Sequence, residues 1–149
     1  MTYSSIVVGT DGSPTAERAV EQAAVLASAD GARLVVVSAY REGEGPAHDI
    51  DSDGLPEDIR FVLTDQVQAE ELAHRGREVA KAAGAGKVVV QALPGEPAEV
   101  LLEAASDFGA DLIVVGSRGL ARHGHFILGS VASTVAHHAP CDVLVAHTA

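Results

Sequence analysis

SIVVGTDGSPTAERAVEQAAVLASADGARLVVVSAY, running from Ser5 to Tyr40, decides the fold class. An apolar run, SIVVGT, meets a turn, DGSP. Apolar residues then fall at Ala16, Ala19, Val20, Ala23 and Ala27, close to the 3.6-residue period of a helix. Ser13 followed by Pro14 is a helix start: a side-chain oxygen for the first free N–H groups, then a proline at the first helical position. RLVVVSAY follows as a second buried strand.

The alternation continues outward from this stretch. Residues 42–58 (EGEGPAHDIDSDGLPED) carry seven carboxylates and no cation, which predicts a solvated loop. A second helix is expected from about Thr64 to Ala83, with Ala69, Leu72, Ala73, Gly76, Val79, Ala80 and Ala83 on one face. KVVVQA reads as the third strand, and GEPAEVLLEAASDFGA as a helix opened by Pro97 and closed near Gly109. DLIVVGS is the fourth strand, residues 130–139 a last short helix, and CDVLVAH the fifth strand. The strands are near-continuous apolar runs, as in a parallel sheet covered on both faces. Strand–helix alternation five times over predicts an α/β fold: a doubly wound, five-stranded parallel sheet with helices on both sides.

Composition bounds the rest. At 149 residues, one domain spanning 1–149 is expected. Apolar residues make up 47% of the chain and aromatics only 3%, so the core is aliphatic, Val-rich strands under Ala-rich helices. No apolar run reaches the roughly 18–20 residues of a membrane span, no secretion signal opens the chain, and the single cysteine, Cys141, cannot form an intrachain disulfide. These features predict a cytoplasmic protein. A formal charge of −11 argues against a general nucleic-acid or anionic-membrane binder.

One stretch escapes the acidic balance. GSRGLARHGHFILGS, Gly116 to Ser130, holds four of the fifteen glycines, two arginines, two histidines and no carboxylate. Between Asp111 and Asp142 there is no acid at all, while Arg118, Arg122, His123, His125, His137 and His138 fall inside the interval. In an open parallel sheet, ligands lie beyond the carboxyl ends of the strands where the strand order reverses. Strand one ends in Gly9-Thr10-Asp11 and strand four in Gly116-Ser117, so both tips are expected to flank one crevice. Gly129-Ser130 precedes the last helix, whose free N–H groups favour phosphate. Neither GxxxxGK[ST] nor a GxGxxG after strand one is present. From spacing alone the glycines fit either a phosphate cradle or a plain surface loop.

At these residues the chain resembles the universal stress proteins of the ATP-binding kind, whose mark is G-x2-G-x9-G-[ST] after strand four. Here it reads Gly116, Gly119, Gly129, Ser130. The opening VVGTDGS also resembles the family's first strand and its aspartate, and the resemblance covers essentially the whole chain. It implies a Rossmann-like fold of the adenine-nucleotide alpha-hydrolase kind, binding ATP in a cleft at the strand tips in a regulatory, stress-response role without efficient catalysis. Asp11 is implied to meet the ribose, or a metal such as Mg riding on the phosphates, with Gly9 and Thr10 shaping the same wall. Ala39 is implied to meet the adenine through its backbone, and Val115 and Gly116 to line ribose and base. Arg118, Gly119, Gly129, Ser130 and Val131 are implied to surround the phosphates, Arg118 on the strength of its charge alone. The family's homodimer, in which last strands pair, would use CDVLVAH.

Three other functions compete. A cyclic AMP sensor or sink needs room for one phosphate only, and the GTDGS opening with a second strand ending in SAY resembles family members of that kind. A slow metal-dependent ATP hydrolase would use Asp11 at the metal, but the Walker lysine is missing and no nucleophile–base pair is evident, so no catalytic residue is assigned. A pure dimerisation domain would leave the cleft empty. DIDSDG (Asp49 to Gly54) begins like a calcium loop, but its twelfth position is Arg60 instead of glutamate. His123-Gly124-His125 and His137-His138 lack cysteine or carboxylate co-ligands, so no metal site is expected. The histidine motif of nucleotidyl transferases sharing this broad fold stands after strand one, where this chain has GTDGS. Cys141 reads as a small apolar residue entering strand five.

Overall fold

The stretch from Ser5 to Tyr40 folds, in a computed structural model of the protein, as the strand–helix–strand unit its pattern predicts. The structure describes residues 2–41, 51–117 and 129–147, and of 51–64 the backbone course only. Strand β1 (Ser5–Gly9) leads into helix α1 (Pro14–Asp30) and then strand β2 (Arg33–Tyr40). Ser13 caps α1, its Oγ accepting the Ala16 N–H at 3.1 Å, and Pro14 opens the helix. Gly31 ends it in the left-handed conformation at φ 68°, where a Cβ would be strained. The buried residues of α1 are Ala19, Val20, Ala23, Ala24 and Ala27: one stripe, mostly alanine, so that helix and sheet approach closely.

The chain continues through α2 (Asp51–Ala82), β3 (Lys87–Pro94), α3 (Pro97–Asp107), β4 (Leu112–Gly116), α4 (Ser130–His138) and β5 (Asp142–Ala146). All strands pair in parallel in the order β3-β2-β1-β4-β5. Alternate residues of the central strands feed two separate cores. Ile6, Val8, Leu34, Val36, Leu112 and Val114 pack beneath α1 and the end of α2. Val7, Val35, Val37, Ile113 and Val115 pack beneath α3 and α4. Burial on both faces explains why these strands read as unbroken apolar runs. Each fully buried Val, Leu or Ile side chain contributes about 1.5–3 kcal/mol to stability. Among the described residues, no helix is long and apolar enough to cross a membrane.

One element departs from the sequence expectation. Residues 42–58 were expected as a solvated loop before a helix from Thr64; 42–50 lie outside the described residues, and 51–58 are helical, within α2. The physical reason is that a charged segment can be a helix as readily as a loop, because either leaves most of its polar groups in water. Gly54 and Pro56 weigh against that helix without preventing it. The calcium-loop resemblance is lost with it, since the last four residues of DIDSDG belong to α2.

The end of the sheet opposite the strand tips is held by two polar anchors. Asp111 accepts the Ser4 N–H (3.0 and 3.2 Å), the Ser4 hydroxyl (3.1 Å) and the Ser5 N–H (3.1 Å), tying the start of β1 to β4. Arg33 donates to the Phe108 carbonyl at 2.6 Å and the Ser5 hydroxyl at 3.1 Å, and its guanidinium lies 5.2 Å from the Phe108 ring centre. Desolvation pushes the Asp111 carboxyl up, but the hydrogen bonds from Ser4 and Ser5 outweigh it and hold the pKa below the ordinary aspartate value. A lowered folded-state pKa means the carboxylate's stabilisation is complete above the ordinary value and is lost as the pH falls through the lowered one. Asp111→Asn is expected to reduce stability at neutral pH and to flatten the acid limb of a plot of Tm against pH; an unchanged limb would refute the assignment.

Candidate functional site

The strand order places the site. From β1 the chain crosses by α1 to β2 on one side, while β4 pairs with β1 on the other, so the loops after β1 and β4 diverge. The opening between them is a cleft of about 260 Å³ at the strand tips. Its walls come from both faces of the sheet: Ser13, Thr15, Ala16 and Ala19 from the start of α1, and Pro97, Val100 and Leu101 from α3. Gly9, at the tip of β1, lets Leu101 reach across: a Cβ there would stand 3.1 Å from Leu101 Cδ2.

The turn after β1 is shaped by its own side chains. Thr10 N–H donates to the Val37 carbonyl at 2.9 Å, continuing the β1–β2 pairing. Thr10 Oγ1 accepts the Gly12 N–H at 3.0 Å, and Asp11 Oδ1 accepts the Ser13 N–H at 2.9 Å. Gly12 sits at φ +81°, which makes glycine the fitting residue at the apex. Thr10 is buried and Asp11 exposed. Among the described residues lining the cleft, Asp11 is the one charged side chain; the rest of the wall is small, apolar or hydroxylic.

Beyond β4, the Ser117 N–H donates to the Ala146 carbonyl at 2.8 Å, continuing the β4–β5 pairing. Helix α4 starts at a glycine, Gly129, with no side-chain capping bond and no acid in its first turn. Its first N–H groups and positive dipole end therefore suit an anion. By contrast, α1 is capped by its own Ser13. At the far end of α4, His137 Nδ1 donates to the Ser133 carbonyl at 2.8 Å, a bond within the helix.

Seven of the eleven residues singled out in the sequence line the cleft: Gly9, Thr10, Asp11, Ala39, Val115, Gly116 and Val131. Gly129 and Ser130 form the start of α4 beside Val131 without lining it. Arg118 and Gly119 lie outside the described residues, as do Arg122, His123 and His125. The apolar wall from α3 and the hydroxyls of Ser13 and Thr15 were missed. Ser13 was read as a helix cap alone, and Pro97 as a helix start alone; both roles are real, and position at the switch point adds the second. Cys141 packs half-buried beside the α3–α4 core. Burial pushes its thiol up, with Asp142 and Asp111 adding to the effect, so it stays protonated and acts as a small apolar residue. Among the described residues, no group of three or more His, Cys, Asp or Glu could hold a metal ion.

The sequence model of the Universal stress protein family matches residues 2–147. The chain belongs to the universal stress protein family. A universal stress protein of Mycobacterium tuberculosis (strain H37Rv) is 39% identical over 146 residues, covering 98% of this chain and 97% of that one. The crystal structure of a universal stress protein in complex with cAMP superposes with a TM-score of 0.75 at 33% identity, covering all of both chains. A universal stress protein from Archaeoglobus fulgidus in complex with dAMP superposes at 0.69 with 28% identity, covering 97% of this chain and 98% of that one. Both solved relatives hold an adenine nucleotide, and this universal stress protein shares their α/β architecture.

Proposed function

We propose that this universal stress protein binds an adenine nucleotide in the switch-point cleft, in a regulatory role without efficient catalysis. The observation that carries the reading is the assembly of Gly9, Thr10, Asp11, Ala39, Val115, Gly116 and Val131 around one cavity. An apolar slot between Ala39, Val100, Leu101 and Val115 suits a flat base, and the exposed Asp11 carboxylate suits the ribose hydroxyls as an acceptor. The start of α4 suits phosphate. ATP is the ligand implied by the family resemblance that Gly116, Gly119, Gly129 and Ser130 carry, and Mg would enter only as its companion on the phosphates. The acid-free interval from Asp111 to Asp142 supports the same reading.

Cyclic AMP is the second reading, supported by the cAMP-bound relative and by a cleft volume of about 260 Å³, just below the about 300–1,000 Å³ common for ligand sites. Titration calorimetry with ATP and with cyclic AMP, on wild type and on Asp11→Ala, tests both. The variant is expected to bind the preferred nucleotide at least about tenfold more weakly, close to 1.4 kcal/mol. Equal affinities would remove Asp11 from the site, and competition between the two nucleotides orders them. Steady ATP turnover well above background, abolished by Asp11→Asn, would overturn the non-catalytic reading.

The same proposal includes a second copy of the chain. Strand β5 is a sheet edge, and Val143, Leu144 and Val145 along it are only half-buried, with no charge after Asp142 to guard it. Light scattering giving twice the chain mass would support pairing through this edge, and a monomer would exclude it.

A further inference from the structure

Helix α2 turns one short part of its surface to the β1–α1 corner that borders the cleft. Leu72, Arg75 and Gly76 share a helix face by their i, i+3, i+4 spacing, and each meets a different part of that corner. Leu72 Cδ2 fills the space above the Gly12 α-carbon, where a Cβ would collide with it. Arg75 Nη2 lies 3.5 Å from Glu17 Oε2, in the first turn of α1. Gly76 lies against Val36 and Thr10: a Cβ there would stand 2.8 Å from Val36 Cγ1 and 3.4 Å from Thr10 Cγ2. The bare α-carbon of Gly76 is what lets the helix come this close.

None of the three lines the cleft, whereas Thr10, Asp11 and Ser13 on the other side of the corner do. The helix therefore stands behind the wall. Inside the turn, Thr10 Oγ1 accepts the Gly12 N–H and Asp11 Oδ1 accepts the Ser13 N–H, while Gly12 itself, at φ +81°, has no side chain to pack. The solvated Arg75–Glu17 pair contributes little. Leu72 adds the apolar contact that holds the turn from outside.

We propose that Leu72 is a positioning residue for nucleotide binding, holding the Thr10–Ser13 turn in its cleft-forming shape through contact with Gly12. The inference rests on the nucleotide reading above. Pre-organising a binding loop raises affinity because less conformational freedom is lost when the ligand arrives.

The test compares Leu72→Ala with Val79→Ala, a truncation on the same helix that is half-buried against the core beneath α1 and lies two turns along from Leu72. Cyclic AMP and ATP are the probes in calorimetry, and hydrogen exchange of the Gly12 and Ser13 amides reads the turn without ligand. Leu72→Ala is expected to weaken binding about 5–10-fold and to speed exchange at both amides. Val79→Ala is expected to stay within about twofold of wild type, and Leu72→Met to recover most of the loss. Equal losses in both alanine variants would overturn the proposal, as would wild-type binding and exchange in Leu72→Ala. Should wild type bind neither probe, the nucleotide reading fails, and the amide exchange still decides whether Leu72 restrains the turn.

Discussion

Ala39→Trp is expected to abolish nucleotide binding, with a loss of at least about 100-fold, or about 2.7 kcal/mol. Ala39 stands at the carboxyl end of β2, one residue before Tyr40, half-buried and on the same strand face as Val35 and Val37. It lines the cleft together with Val37, Leu101 and Val115. An indole at that position would occupy the apolar slot assigned to the base, and a cavity of about 260 Å³ does not hold both. The strand itself should tolerate the change, because the new side chain projects from a half-buried strand tip. Ala39→Ser, small enough to leave the slot open, should keep affinity within about threefold. Calorimetry with ATP and cyclic AMP, beside thermal melts of each variant, separates a blocked cleft from a damaged fold. Undiminished affinity in a well-folded Ala39→Trp would place the ligand elsewhere.

Gly12→Val should give the larger stability effect, about 2–5 kcal/mol. Gly12 adopts φ +81°, a region that costs a branched L residue about 1–2 kcal/mol. A Cβ at this position also collides with Leu72 Cδ2, and overpacking of that kind typically costs about 1–3 kcal/mol. Leucine can move part of the way, which sets the lower end of the range. For a chain of this length the sum predicts a fall in Tm of roughly 5–15 °C. Differential scanning calorimetry checks it. A loss of less than about 1 kcal/mol would mean that the turn relaxes freely, and would weaken the argument that α2 restrains it.

How much of this was legible in the residues can be judged element by element. The central strands announced themselves because Ile6, Val7 and Val8, or Val35 and Val36, are buried on both faces and leave no polar alternation. Ser13-Pro14 marked the start of α1 through cap chemistry that is local by nature. Pro97 did the same for α3, which ends at Asp107 just before Gly109. The start of α2 was misread because a run of carboxylates speaks to solvation, and solvation does not distinguish loop from helix. Asp111 and Arg33 gave no local signal: their partners, Ser4, Ser5 and Phe108, are distant in the chain and meet them only across the sheet.

The site divides along the same line. Gly9-Thr10-Asp11 and Val115-Gly116 were readable as strand tips, while the glycine spacing after β4 left cradle and plain loop open, and the ligand came from the family resemblance. The apolar wall from Val100 and Leu101 was not, because on α3 those residues look like any buried helix face.

Taken alone, the sequence determined which segments are strands and helices, which faces they bury, and where acids are withheld; periodicity, capping and charge are properties of neighbouring residues. Only the tertiary structure decided that the tips of β1 and β4 bound a single cavity, that Leu101 passes over Gly9 to line it, and that Leu72 backs the turn at Gly12. These are contacts between residues far apart in the chain, and they exist only once the strand order β3-β2-β1-β4-β5 has brought their elements together.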